Sequence, residues 1–326
     1  MTESLRQFMA GIIDYAGLFP PAKLPLKESI HNYSAYRQND DSWMLSRFIL
    51  PVSLFHEAGN FSDLFTPDNP FSFSVLPQKA DSIDEFNNAI ATAISSCMDF
   101  CNTHPGAVTT EMMEVKLPEE AVASQDQKLL KGLMDETADK LQGSSLPPQR
   151  IFYEGHFGAN WRDDNESVLA ALKEHNRDFA GIKNYEFAAY KIRCGGITAD
   201  LFPSVEQIAF ILNSTHQHNV ALKATAGLHH PVRHYAEEVG TTMHGFFNVF
   251  GGAMLAGAND FSTDTLVEIL NEEDTGAFHF TSDAFTWKDY SVSTEEIKHL
   301  RQNALLSYGS CSFDEPREDL SALGLL

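Results

Sequence analysis

Lys191 and Lys223 occupy matching places in this chain, each near the carboxyl end of a short apolar run that breaks at a glycine-bearing turn. The first stands in Ala189-Tyr190-Lys191-Ile192-Arg193-Cys194-Gly195-Gly196, the second in Ala221-Leu222-Lys223-Ala224-Thr225-Ala226-Gly227. An ammonium group gives up its hydration on entering an apolar strand, so lysines on two successive strands need a reason. They point to an active site without spelling out its reaction. Glu114, Glu154, His229 and His230 are the candidates for moving protons around such a centre.

Strand alternation selects the inward-facing residues. With Tyr190 and Ile192 turned outward, Lys191 and Arg193 point inward; with Leu222 and Ala224 outward, Lys223 and Thr225 do. The same rule turns Glu114 and Lys116, Glu154 and His156, Asn248, and His279, Thr281 and Asp283 inward, with Arg47 at the opposite end of its strand. Arg193, Thr225, Asn248, Lys116, His156 and Asp283 are therefore candidate substrate contacts. Gly195 and Gly196 add backbone N–H groups that can approach an anion closely. The bland alternative is a self-satisfied network of buried ion pairs, such as Glu114 with Lys191 and Glu154 with Lys223.

After the second lysine comes Leu228-His229-His230-Pro231-Val232-Arg233-His234. Adjacent histidines diverge, so general acid–base work or substrate binding is expected of them before metal ligation. A divalent ion would need further donors, among them Glu154, His156, His244 or Asp283. No resident metal or other cofactor is expected on the leading reading; a divalent metal ion belongs to the alternative. Cys311 has no base beside it in sequence and reads as part of a docking tail.

The elements that must position these residues alternate. Strand-like runs are expected at Ser46–Pro51, Phe71–Pro77, Thr110–Leu117, Arg150–Phe157, Ala188–Cys194, Val220–Thr225, His244–Phe250 and Ala277–Asp283. Helical stretches lie at Ile83–Cys101, Gln125–Leu141, Asn165–His175, Ser204–His216, Thr263–Asn271 and Thr294–Leu306. This rhythm predicts an α/β fold, a (β/α)8 TIM barrel, forming one domain over 1–326. Residues 1–45, containing Asp14 and Tyr15, are expected to cap it, 46–307 to form the barrel and 308–326 to make the tail.

Of the 326 residues, 43% are hydrophobic, enough for a substantial core. The formal net charge is -22, from 45 acids against 23 bases, which disfavours nucleic acid and anionic lipid as partners. No apolar run is long enough to span a bilayer, and the first residues lack the pattern of a signal peptide. The four cysteines, Cys97, Cys101, Cys194 and Cys311, make no disulfide framework, so a reducing cytoplasm is expected. Local Lys and Arg in so acidic a protein suit a small anionic or carbonyl-containing substrate. A homo-oligomer is compatible with all of this.

The segments Asp14-Tyr15-Ala16-Gly17-Leu18-Phe19-Pro20-Pro21, Lys191-Ile192-Arg193-Cys194-Gly195-Gly196, Lys223-Ala224-Thr225-Ala226-Gly227-Leu228-His229-His230-Pro231 and His244-Gly245-Phe246-Phe247-Asn248 resemble those of an uncharacterised family of bacterial barrel proteins. More remotely, the stretch from Lys191 to Gly227 is similar to the two-lysine region of class I aldolases of the deoxyribose-phosphate type. That resemblance implies an aldolase-like lyase with a Schiff base on Lys191 and Lys223 as the neighbouring cation. The turn chemistry differs: Arg193-Cys194-Gly195-Gly196 stands where the aldolases carry Ser-Thr-Gly. Counted from Ser46–Pro51, Lys191 falls on the fifth strand, one short of the aldolase lysine. The bare residues leave open which lysine reacts, a metal-dependent lyase or hydrolase, and a barrel that binds a ligand without turnover.

Overall fold

The computed structural model describes residues 1–259 and 261–326. Its strands are β1 (Ile13–Tyr15), β2 (Leu45–Pro51), β3 (Phe71–Leu76), β4 (Val108–Lys116), β5 (Gln149–Glu154), β6 (Tyr185–Arg193), β7 (Leu222–Thr225), β8 (His234–Ala236), β9 (Thr241–Met243), β10 (Phe278–Phe280), β11 (Ala284–Trp287), β12 (Tyr290–Ser293) and β13 (Leu305–Ser310). A closed eight-stranded barrel runs in the order β1-β13-β7-β6-β5-β4-β3-β2, with helices between its strands. The fold is the expected (β/α)8 TIM barrel.

Two of its strands are not those expected. The barrel begins with β1, inside the segment assigned to a cap, and closes with β13, which follows the helix Thr294–Asn303. The run at His244–Phe250 is helical over Phe247–Gly251, and Ala277–Asp283 contributes only β10, the edge of a three-stranded antiparallel sheet. Both runs are apolar because they pack against Phe8, whose ring lies 5.6 Å from Phe247, 5.5 Å from Phe280 and 5.5 Å from Phe285. A short buried apolar run has the same composition as strand or as helix, so pattern alone could not separate them.

The chain divides into two compact units, one of Leu24–Ala35 and Arg47–Lys191, the other of Met1–Lys23, Tyr36–Ser46 and Ile192–Leu326. In the first, parallel ladders join β2 to β3, β3 to β4, β4 to β5 and β5 to β6. Its helices Ile83–Thr103, Gln127–Gln142 and Trp161–Asp178 each bury one apolar stripe. In the second unit β13 lies between β1 and β7. Its helix Val205–His218 starts at a capping box in which Ser204 and Gln207 each accept the other's backbone N–H. Arg301 is buried there, donating from Nε to Phe8 O at 2.9 Å and from a terminal nitrogen to Ala10 O at 3.0 Å. It ties the helix Thr294–Asn303 to the turn before β1.

Candidate functional site

Lys191 sits next to the last residue but one of β6, and the β5–β6 register makes Glu154 its direct partner on the neighbouring strand. The Lys191 Nζ lies 2.7 Å from Glu154 Oε2 and 3.1 Å from Glu114 Oε2 on β4. Ser74 on β3 donates its hydroxyl to the other Glu114 oxygen at 2.6 Å. Four successive barrel strands thus converge on one ammonium group. The side chains of Lys191 and Glu114 are 6% and 1% exposed, whereas that of Glu154 is 16% exposed and forms the solvent-side edge of the cluster.

The proton balance at Lys191 runs against the sequence expectation. Lys223 as a neighbouring cation, which the aldolase resemblance implies, would depress its pKa. Burial does work against the ammonium, but Glu154 and Glu114 outweigh it, and the pKa is raised above the ordinary lysine value. Lys191 at rest is an ammonium group held between two carboxylates.

The loop after β5 fixes Glu154. Gly155 N donates to Lys191 O at 3.0 Å, and a Cβ on Gly155 would overlap the Tyr190 hydroxyl. That hydroxyl donates to Asn165 Oδ1 at 2.6 Å, while Asn165 Nδ2 donates to His156 O at 2.7 Å. His156 N donates back to Asn165 Oδ1 at 3.2 Å. His156, half-buried, is therefore held by its backbone, and Lys116 is exposed at the end of β4 rather than enclosed. Ser74, Tyr190 and Asn165 are not among the site residues expected from the sequence. The usable signal was Tyr190, because a tyrosine in a buried run needs a partner for its hydroxyl.

Lys223 is enclosed differently. Its Nζ donates to Asp14 Oδ2 and reaches Ser307 Oγ at 3.4 Å, and Ser307 donates to the same Asp14 oxygen at 2.6 Å. Asp14, Lys223 and Ser307 are all 0% exposed. Asp14 is thus a strand residue paired with a lysine. Thr225 is half-buried at the end of β7, its carbonyl accepting from Cys194 N at 2.8 Å.

The glycines after β6 have a packing explanation. A Cβ on Gly195 would lie 2.9 Å from the Cα of Gly227, so the two loops meet backbone to backbone. Gly227 itself has φ +71, a conformation that favours glycine. Gly196 faces the Leu201 side chain. Arg193 is half-buried and makes no hydrogen bond or ion pair among the described residues.

The histidine loop meets the C-terminal helix Asp314–Ala322. His229 Nδ1 lies 3.2 Å from Glu315 Oε2 and 3.8 Å from Cys311 Sγ, and His230 Nδ1 lies 2.6 Å from Asp319 Oδ2. Burial disfavours the imidazolium of His229, but Cys311 and Glu315 outweigh it and lift its pKa to about 9. Cys311 therefore does have a base beside it, supplied by the fold instead of the sequence. His244 is a different case: its Nε2 donates to Pro203 O at 2.8 Å, and burial pushes its pKa down to about 4.

Two expected substrate contacts are corrected. Asn248 is buried in a backbone clamp, donating to Ile269 O at 2.8 Å and Glu272 O at 2.9 Å while accepting from Arg233 N at 2.8 Å. Asp283 is exposed in the turn between β10 and β11, and His279 is exposed on β10; neither belongs to a barrel strand.

Comparison of the chain with models of known families and with curated proteins gave no match. Among the described residues no helix is long and apolar enough to cross a membrane.

Proposed function

We propose that this barrel is a lyase of the class I aldolase type, acting on a small oxygenated carbonyl compound through an imine at Lys191. The observation that carries the reading is the contact between the enclosed Lys191 ammonium and Glu154, the one carboxylate of the cluster at its solvent edge. Glu154 accepts a proton from Lys191, and the freed amine adds to the substrate carbonyl. The carbinolamine then loses its hydroxyl as water, taking the proton back from Glu154. The product is an iminium that carries the positive charge the ammonium had. Glu114 stays paired throughout, so the surroundings of the cation need no reorganisation. The iminium takes up the electron pair of the Cα–Cβ bond as an enamine while the β-hydroxyl, giving its proton to the regenerated Glu154 carboxylate, becomes a carbonyl; this is the chemistry of aldol cleavage.

Further support comes from position: β6 is the sixth barrel strand, the place of the reacting lysine in the aldolases that the sequence resembles. The half-buried guanidinium of Arg193, without an acidic partner among the described residues, favours an anionic substrate. Lys223 has no open edge and is assigned a structural role.

Borohydride reduction in the presence of a panel of small aldehydes and ketones, followed by peptide mapping, tests the proposal. A reduced adduct on Lys191, absent from Lys191→Met, is expected. No adduct on any lysine, with the protein folded, would leave Lys191 as a structural ion pair in a ligand-binding barrel.

A further inference from the structure

Cys311, the residue after the strand β13, and Glu315, in the first turn of the following helix, both approach the same ring nitrogen of His229. One Nδ1–H cannot be donated well to two acceptors at once, so hydrogen bonding alone does not account for the convergence. The three ligand atoms all lie within 4.8 Å of one another. Donors on adjacent corners of a tetrahedral zinc site, with bonds of about 2.0–2.3 Å, are separated by roughly 3.3–3.8 Å. The observed 3.2 Å from nitrogen to oxygen and 3.8 Å from nitrogen to sulfur lie close to that spacing, and the third edge, Cys311 Sγ to Glu315 Oε2, is within 4.8 Å.

The geometry points to a divalent zinc-class cation site formed by His229 Nδ1, Cys311 Sγ and Glu315 Oε2. A neutral imidazole, a thiolate and a carboxylate together balance the charge of a divalent ion. The thiolate and imidazole select zinc over magnesium or calcium, which prefer all-oxygen sets. Three protein ligands leave a fourth position for water or a ligand, as in catalytic zinc sites rather than closed structural ones. Access is provided on the Glu315 side, whose side chain is 48% exposed against 12% for His229. The loop is held in place independently by the His230–Asp319 contact one helical turn further on. The metal donors expected from sequence, Glu154, His156, His244 and Asp283, do not take part, and the site does not depend on imine chemistry at Lys191.

The test uses the full chain, stripped with a chelator under reducing conditions and titrated with Zn2+ or Co2+ alone. One equivalent of Co2+ is expected to bind with tetrahedral d–d bands and a thiolate-to-cobalt charge-transfer band, and Zn2+ is expected to displace it. Cys311→Ser should abolish the charge-transfer band, and Glu315→Gln should weaken binding at least about tenfold. Asp319→Asn, which disturbs only the neighbouring contact, should keep the band. No stoichiometric ion, or an ion bound without a thiolate band, overturns the site; so does Cys311→Ser with unchanged affinity. The spectrum of the unsubstituted protein decides the matter even where a variant does not fold.

Discussion

Lys191 and Lys223 were indistinguishable as letters, and their surroundings separate them. Lys223, Asp14 and Ser307 close on one another with no exposed atom of note, each satisfying the others. Lys191 is held as firmly, but one of its two carboxylates stands at the edge of the cluster. The ammonium of Lys223 is wholly enclosed, whereas that of Lys191 touches a half-buried carboxylate, the acceptor that the proposed imine chemistry needs. Burial of a lysine is therefore not the mark of a reactive one. On the proposed chemistry, an accessible proton acceptor beside it is the better criterion.

The largest effect that would sharpen this contrast is on stability. Lys223→Met leaves the Asp14 carboxylate buried without its ammonium and is expected to cost about 3–5 kcal/mol in urea unfolding. The protein that still folds should keep its borohydride adduct on Lys191; loss of the adduct with unchanged stability would reverse the two roles. Next, Glu154→Gln removes the proton acceptor and should slow imine trapping by roughly 10²–10⁴-fold in a stopped reduction assay. Its urea midpoint should move far less than that of Lys223→Met. Ser74→Ala takes one hydrogen bond from the enclosed Glu114 carboxylate and should lower stability by about 2 kcal/mol. A smaller change would mean that Glu114 is satisfied mainly by Lys191.

The pH dependence supplies the subtlest test. Because the folded pKa of Lys191 lies above its ordinary 10.5, its ion pairs stabilise fully below that pH and the contribution is lost as pH rises through the raised value. The stability gap between the native protein and Lys191→Met should narrow above pH 10.5, followed by denaturant melts at stepped pH. Imine trapping should accelerate over the same range as the amine appears.

The class of fold and six of its strands could be read from alternation because β2 to β7 are separated by helices with clear apolar periodicity. The first and last strands could not. Ile13–Tyr15 is three residues long, and Leu305–Ser310 follows a helix so closely that its leucines look like that helix's last turn. Losing these two shifted the strand count by one and hid Ser307 and the pairing of Asp14 with Lys223. The Glu114–Lys191 pair was legible, because alternation on β4 and β6 aims both inward. The meeting of His229 with Cys311 was not, since 82 residues and a non-local docking of the tail separate them.

The pairing of β1 with β13 has a consequence for synthesis. Asp14 and Ser307 are 293 positions apart, so the carboxylate emerges from the ribosome long before its hydroxyl and ammonium partners exist. Until β13 is made, the β1 segment must wait without that neighbour and without the Ser307 hydroxyl. The pairing of β1 with β13 is therefore a late contact that couples segments far apart along the chain.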